Sequence, residues 1–328
     1  MFNNLKPHVL AIVVGFNLLI ALTGCSSLSS VFSTTEDLEA PIQVPSKYVY
    51  FPNPSVDTLN KEQSALTNML IALESPNTSS EDKSLMFYNI GSIYDDLGLE
   101  SMARFMYMNS IVQNPTFYRP YQVLGPYFYR DGKLGDAVDF LDAAYELDTE
   151  KSDPYINLHR GIIMYYTNHD NYAYEDMKVF YEADKNDPYR LLCFYFATQK
   201  RYGNDVAKML LTDYYNSAKN SNTVSQNWGF NLIKLHLHKI SVDELFEGIL
   251  KIRYDDDLFQ EHLCEAYFYV GKLMRDEGND KLAYDYFKLC ESTKKYGFLE
   301  YRLAQYEMAD LENKYNIKKF VTPEDITQ

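Results

Sequence analysis

Basic residues are scarce in this chain of 328 residues, which has 31 Lys and Arg against 46 Asp and Glu and a formal net charge of −15. The sequence contains no long run of Lys and Arg. Binding to nucleic acid needs a clustered basic surface that neutralises phosphates, so the composition argues against that class of partner. The hydrophobic content of 46% is that of a folded protein with a large core.

The motifs of common catalytic sites are also missing. The chain contains no His-Glu-x-x-His, no Gly-x-Ser-x-Gly, no phosphate-binding Gly-rich loop and no Cys-x-x-Cys. His236 and His238 are two residues apart, which places their rings on different faces of a helix and argues against a metal site. Acidic runs such as Asp95-Asp96 and 255–257 are explained more simply by a solvated surface than by an acid/base pair. The sequence therefore predicts no enzyme, no cofactor and no metal.

Cysteine is rare as well, with four residues in the chain. Apart from Cys25, the chain contains Cys193, Cys264 and Cys290, and an odd number leaves at least one thiol free in an oxidising compartment. Cys193 lies in the apolar run 191–196, and Cys290 lies at a small-residue position of a repeat, so both are predicted to be buried, reduced thiols. A disulfide between Cys264 and Cys290 is left open.

What the sequence does contain is one pattern that occurs twice in register within residues 84–151. Gly91, Ala103 and Pro115 follow one another at intervals of 12, and Gly125 and Ala137 repeat the first two positions 34 residues later. This is the tetratricopeptide period, in which small residues let the two helices of a helix-turn-helix unit approach closely. The pattern therefore predicts stacked helix pairs.

Further units carry the same small residues. Gly161 and Ala173 mark a third unit, and Gly271 and Ala283 mark a later one. Since about three stacked repeats suffice for a stable core, we predict an all-α, tetratricopeptide-like superhelix. Its predicted parts are three tetratricopeptide units over 84–188, degenerate helical pairs over 189–262 and a C-terminal unit over 263–312, followed by a tail over 313–328.

The first 24 residues have the features of a lipoprotein signal peptide. Lys6 precedes an apolar run over 9–22, which ends in Leu22-Thr-Gly-Cys25. That ending resembles the lipobox of bacterial lipoproteins, in which the cysteine is acylated and becomes the mature N-terminus. The alternatives are an ordinary secretory signal and a short transmembrane anchor, although the run is shorter than the ~20 residues that a span needs. Resemblance to Gram-negative lipoproteins implies a periplasm-facing protein of the outer membrane, held there by the lipid on Cys25 alone.

Two segments separate this anchor from the repeats. Residues 25–46 contain the acylated cysteine and a tether rich in Ser and Thr, without helical periodicity. Residues 47–83 form an N-terminal helical segment whose first helix, predicted over 57–74, is amphipathic. The apolar stripe of this helix either caps the first repeat or contacts a second subunit. Its predicted contact residues are Leu59, Leu66, Leu70 and Leu73.

Tyrosine is unusually abundant, at 30 residues, and we expect it to be divided between the core and the concave groove. Groove tyrosines would suit protein recognition, because they offer apolar area and a hydroxyl at low entropic cost. First-helix positions face the groove in this fold. From repeat position alone, the predicted groove contacts are Tyr88, Asp95, Arg119, Tyr129, Tyr155, Tyr165 and Arg275.

Five stretches, in order along the chain, resemble one family more specifically than the repeat does. They are 91–99 (GSIYDDLGL), 157–166 (NLHRGIIMYY), 186–190 (NDPYR), 228–231 (WGFN) and 261–272 (EHLCEAYFYVGK). Together they resemble the new-lipoprotein-I (NlpI) group of outer-membrane tetratricopeptide lipoproteins. The longer tether, the extra tyrosines and the C-terminal tail depart from that group.

The resemblance implies a homodimer and an adaptor. Such an adaptor binds the periplasmic tail-specific (C-terminal processing) protease and presents a murein endopeptidase of the NlpC/P60 class for degradation, and more broadly scaffolds peptidoglycan enzymes. The resulting hypothesis is a non-catalytic scaffold that controls murein hydrolase turnover, the cell wall and cell division. The alternatives are another tetratricopeptide envelope lipoprotein, such as a component of β-barrel assembly, and an enzyme that acts on the wall.

Overall fold

A computed structural model of the chain describes residues 56–221, 227–253 and 255–316. These residues form fourteen α-helices and no strand, which confirms the predicted all-α, tetratricopeptide-like superhelix. The signal peptide, Cys25, the tether and residues 317–328 lie outside the described residues. The helices are α1 (Val56–Leu73), α2 (Ser80–Asp96), α3 (Glu100–Gln113), α4 (Tyr118–Arg130), α5 (Leu134–Leu147), α6 (Pro154–Tyr166), α7 (Asp170–Ala183), α8 (Pro188–Tyr202), α9 (Asn204–Ala218), α10 (Gly229–His236), α11 (Val242–Leu250), α12 (Asp256–Asp276), α13 (Asp280–Ser292) and α14 (Leu299–Lys314).

The same contact joins the two helices of each repeat unit. In α2 and α3, a Cβ added to Gly91 would lie 2.7 Å from the ring of Tyr107, which leaves room for hydrogen alone. In the other units, the glycine at the matching position faces the residue that follows it by the same number of positions as Tyr107 follows Gly91. The pairs are Gly125 with Leu141, Gly161 with Met177, and Gly271 with Phe287, and the neighbouring alanines Ala103, Ala137, Ala173 and Ala283 are buried.

The central helices differ from this template in length. Helices α8 and α9 still form an antiparallel pair, whereas α10 and α11 have 8 and 9 residues. Helix α12 is then 21 residues long and begins at Asp256, ahead of the predicted unit boundary at 263. It begins there because the Asp255 side chain caps it, accepting a hydrogen bond from the Leu258 backbone N–H at 3.1 Å.

A continuous apolar core extends from α6 to α14, and smaller clusters fill the first two units. Tyrosine is an important part of it, since Tyr195, Tyr267 and Tyr286 are among the largest fully buried side chains. These side chains show that some of the tyrosines belong to the core, as predicted. These rings are held between helices whose pairing the small residues make possible.

Helix α1 packs against α2, next to the first repeat. Leu66 and Leu73 are half-buried, whereas Leu70 is 41% and Ile71 is 66% exposed. The side chain of Leu59 lies outside the described residues. Capping and subunit contact therefore both stay as interpretations of this helix, since part of its apolar stripe is covered and part is open.

Candidate partner-binding surface

The C-terminal helix α14 contacts the first helices of the early repeats, which are the helices predicted to face the groove. One side of it packs on α12 and α13, where Ala304, Met308 and Leu311 join the core. The other side reaches the first helices of the early repeats. There the Tyr306 ring lies 5.3 Å from the ring of Tyr129 on α4 and 5.3 Å from that of Tyr166 on α6. The groove predicted from the repeats is therefore partly filled by the chain's own helix.

Asp95 forms the contact between α14 and the first repeat. Its carboxylate accepts hydrogen bonds from the hydroxyls of Tyr107, at 3.1 Å, and of Tyr127, and it pairs with Arg302 Nη2 at 2.9 Å. Burial acts to lower the pKa of Arg302, but the Asp95 carboxylate, together with the nearby Tyr127 and Tyr107 hydroxyls, outweighs burial, so this pKa is raised. At 7% exposure, Asp95 does not belong to the solvated acidic surface expected for the Asp95-Asp96 run, because side chains of α3, α4 and α14 cover it.

Glu307 is the centre of a second ionic cluster and is fully buried. It accepts hydrogen bonds from Lys272 Nζ at 2.7 Å, from the Tyr166 hydroxyl at 2.8 Å and from Arg275. Burial acts to raise the pKa of Glu307, but the two cations outweigh burial and lower it to about 2. Arg275 also pairs with Asp310 at 2.8 Å, so this predicted groove residue binds α14 twice.

The other predicted groove residues lie in different surroundings. Tyr165 is half-buried on the main core, and its hydroxyl accepts a hydrogen bond from Lys272 at 3.2 Å. Tyr88 packs edge-on against Phe117 at 5.5 Å, while Tyr155 is 47% exposed. Arg119 lies beside Tyr118, and a hydrogen bond between the two raises its pKa. Asp95, Tyr129 and Arg275 thus contact α14, and partner contact by all seven residues stays a prediction.

A cavity of about 300 Å³ opens beside the beginning of α14. Two nearly buried carboxyl groups line it. Glu265 accepts a hydrogen bond from the Tyr189 hydroxyl at 3.0 Å, and Glu300 accepts one from the Tyr269 hydroxyl at 3.2 Å. Burial, and then the charge of Glu300, raise the pKa of Glu265 to about 9. No sequence pattern predicts this pair, because its members lie on different helices and meet only in the folded chain.

A larger cavity, of about 620 Å³, borders the second half of α14. Its walls come from α4, α6, α13 and α14, and they mix aromatic with charged side chains. Space for a partner segment therefore exists between α4, α6 and α13 even with α14 in place. The lining includes Tyr129, Arg130, Tyr166, Tyr284, Lys288 and Tyr306.

The thiols and His236, singled out in the sequence, lie in or beside the apolar core. Cys193, Cys264 and Cys290 are free; Cys290 is buried as predicted and Cys264 is buried too, whereas Cys193 is half-buried rather than buried. The sulfur atoms of Cys264 and Cys290 are 3.7 Å apart. His236 is buried beside the rings of Tyr195 and Phe196, and burial lowers its pKa to about 3. Within residues 56–221, 227–253 and 255–316, no group of three His, Cys, Asp or Glu is arranged to hold a metal ion. In the same ranges, no helix has the length and apolar character of a membrane span.

No family model matches the chain. Among solved structures, it is similar to YrrB, described as a tetratricopeptide protein with an unusual peptide-binding site, with 16% identity and a TM-score of 0.40 over 56% of this chain and 87% of that one. A tetratricopeptide protein from Parabacteroides merdae matches with 13% identity and a TM-score of 0.45, over 78% of this chain and 95% of that one. The C-terminal part of a repeat protein from Cytophaga hutchinsonii matches with 17% identity and a TM-score of 0.39, over 72% and 78%.

Proposed function

We propose that this chain is a non-catalytic scaffold whose concave side binds segments of other proteins. The observation that carries the proposal is the docking of α14, because a helix already binds there through side chains of α2, α4 and α6. Surfaces that accept an amphipathic helix by a few aromatic and charged contacts are a common mode of protein recognition. Tyr129 and Tyr166 also line the adjacent 620 Å³ cavity, which leaves room for a further segment.

We further propose that the scaffold is anchored in the outer membrane through lipid on Cys25 and faces the periplasm. The lipobox-like Leu22-Thr-Gly-Cys25 supports this proposal. Replacing Cys25 by Ser should move the protein from the membrane fraction to the soluble periplasmic fraction, as followed by immunoblot. A Cys25→Ser protein that stays in the membrane fraction would contradict lipid anchoring.

The proposed partners are a tail-specific protease and peptidoglycan hydrolases, including an endopeptidase of the NlpC/P60 class. Their support is the resemblance of five colinear stretches to the NlpI group. In this proposal the scaffold brings protease and hydrolase together and so controls hydrolase turnover at the wall. A homodimer is part of the same proposal, and the half-exposed stripe of α1 supports it.

A matched pair of tyrosine variants tests the scaffold. Tyr155, on the first helix α6, is 47% exposed beside the 300 Å³ cavity, and Tyr172, on the second helix α7, is 68% exposed. We expect Tyr155→Ala to weaken binding of the purified protease or endopeptidase severalfold in surface plasmon resonance, and Tyr172→Ala to leave it unchanged. Equal effects of the two variants would contradict the concave site.

A zymogram separates the scaffold from an enzyme that acts on the wall. The full chain, separated in a gel that contains peptidoglycan, should give no clearing band. A clearing band from the purified chain would overturn the proposal that it is non-catalytic.

A further inference from the structure

Two different sets of contacts hold α14. The first set is apolar and buried, and it ties Ala304, Met308 and Leu311 to the C-terminal helices. The second set reaches the first repeats through the side chains of Arg302 and Tyr306, and through Glu307, which accepts a hydrogen bond from the Tyr166 hydroxyl at 2.8 Å. The loop before α14 adds two more contacts, where Tyr296 packs on Gly98 and Gly297 lies against Asp96. Helix α14 is thus built into the C-terminal half, and it meets the N-terminal half through a small number of side chains.

The site that binds the Arg302 guanidinium, called the seat of Arg302 below, is the Asp95 carboxylate. Residues outside α14 hold this carboxylate in its orientation. The hydroxyls that hold the Asp95 carboxylate come from Tyr107 on α3 and Tyr127 on α4. They keep the carboxylate oriented when the arginine leaves. Asp95 is 7% exposed with Arg302 in place, and a largely buried carboxylate is unfavourable without a cation beside it, so a guanidinium that reaches the site in place of Arg302 is favoured.

The surroundings of this seat favour arginine over lysine. The guanidinium carbon of Arg302 lies 5.9 Å from the centre of the Tyr127 ring, next to the carboxylate. A planar guanidinium can stack near an aromatic ring and donate to a carboxylate at the same time, whereas an ammonium group is a compact point charge. The acidic chain, with its formal charge of −15, also attracts basic segments over longer distances.

We propose that Asp95 is an arginine-recognition site of the scaffold and that Arg302 occupies it within the same chain. The partner it fits presents a helix in which an aromatic residue follows an arginine by four positions, as Tyr306 follows Arg302. The arginine pairs with Asp95, and the aromatic ring enters between Tyr129 and Tyr166, which each lie 5.3 Å from Tyr306. This inference rests on the proposed scaffold function and names the chemistry of its partner.

Occupation by the chain itself weakens binding of an outside helix. If Arg302 leaves Asp95 in about one molecule in ten, the apparent affinity for the outside helix falls about tenfold. A partner that binds would open the contact between α14 and the first repeats. The wild-type chain is therefore expected to bind a probe weakly, and a chain without the internal arginine is expected to bind it more tightly.

Two substitutions that break the same ion pair test the site. The probe is a fluorescent peptide with the sequence of residues 299–314, and the control probe has Gln in place of Arg302. In full-length protein, R302Q should bind the arginine probe at least about tenfold more tightly than wild type by fluorescence anisotropy. It should show no such gain for the glutamine probe. D95N should bind neither probe more tightly than wild type.

This asymmetry distinguishes recognition from a structural ion pair. A merely structural pair predicts that R302Q and D95N behave alike, and that result would overturn the proposal. So would equal binding of the two probes to R302Q. The matched control is K314Q, which removes the pair of Lys314 with Asp280 within the C-terminal half and should bind as wild type does.

Folding of each variant is checked by circular dichroism and thermal melting. If R302Q does not fold, Y306L is used, because it weakens the contact of α14 with the first repeats and leaves Asp95 intact. Y306L should bind the arginine probe severalfold more tightly than the glutamine probe, and equal binding would overturn the site. If these tests fail but the wild-type chain still binds the purified protease or endopeptidase, only the proposed arginine site is refuted. If the tests fail and the wild-type chain also binds neither purified protein, the proposed scaffold function is refuted as well.

Discussion

Neutralising Glu307 should destabilise the chain by an amount that depends on pH in a defined way. Glu307 is fully buried between Lys272 and Arg275, and its pKa is lowered from 4.5 to about 2. At about 1.4 kcal/mol per pKa unit, that difference corresponds to about 3 kcal/mol. We expect E307Q to lower the free energy of unfolding at pH 7 by about this amount, because two cations lose their buried counter-charge.

The sign follows from the order of the two pKa values. Since the folded pKa lies below the unfolded value of 4.5, wild type has the full contribution above about pH 4.5 and loses it as the pH falls towards 2. The difference between wild type and E307Q should therefore be constant from pH 7 to pH 5 and shrink at pH 4 and pH 3. Urea unfolding at these four pH values, followed by circular dichroism, measures it.

The neighbouring acid provides the control. Asp310 also pairs with Arg275, but its side chain is 52% exposed, and a pair of that kind contributes at most about 1 kcal/mol. D310N should therefore have a small effect at pH 7. A loss below about 1 kcal/mol in E307Q, or one that stays constant down to pH 3, would refute the reasoning.

Two further predictions concern stability. Burial and the charge of Glu300 raise the pKa of Glu265 from 4.5 to about 9. Between these two pH values the folded chain keeps a proton on Glu265 that the unfolded chain releases. The stability of wild type therefore falls as the pH rises from 4.5 to 9. E265Q has no such proton to keep, so its urea midpoint should rise relative to wild type from pH 6 to pH 9, and parallel midpoints would contradict the assignment. A Cβ at Gly271 would lie 2.5 Å from Phe287, so G271A should cost about 1–3 kcal/mol. Gly248 has open space around its Cβ position, so G248A should instead stabilise α11 by up to about 1 kcal/mol, and melting temperatures that shift in the same direction would contradict this packing difference.

The repeat could be predicted from sequence because its main contact is local. Gly91 and Tyr107 belong to consecutive helices, so the small residue and its large neighbour recur at a fixed spacing that a single sequence reveals. The site could be predicted only in part. Repeat position alone predicts Asp95 as a groove residue, but its partner Arg302 lies on the last helix, and no local pattern links two residues so far apart in the chain. Nothing local in the sequence distinguishes Glu307 from a surface acid.

Joining the last helix to the first repeats changes how such a chain should unfold. In an open repeat array each unit contacts its neighbours alone, so the array can fray from either end and its stability is nearly a sum over units. Here Tyr306 donates a hydrogen bond to the Pro126 carbonyl oxygen across 180 residues of sequence. Contacts over such separations couple the two ends, so the array gains cooperativity at the expense of slower folding.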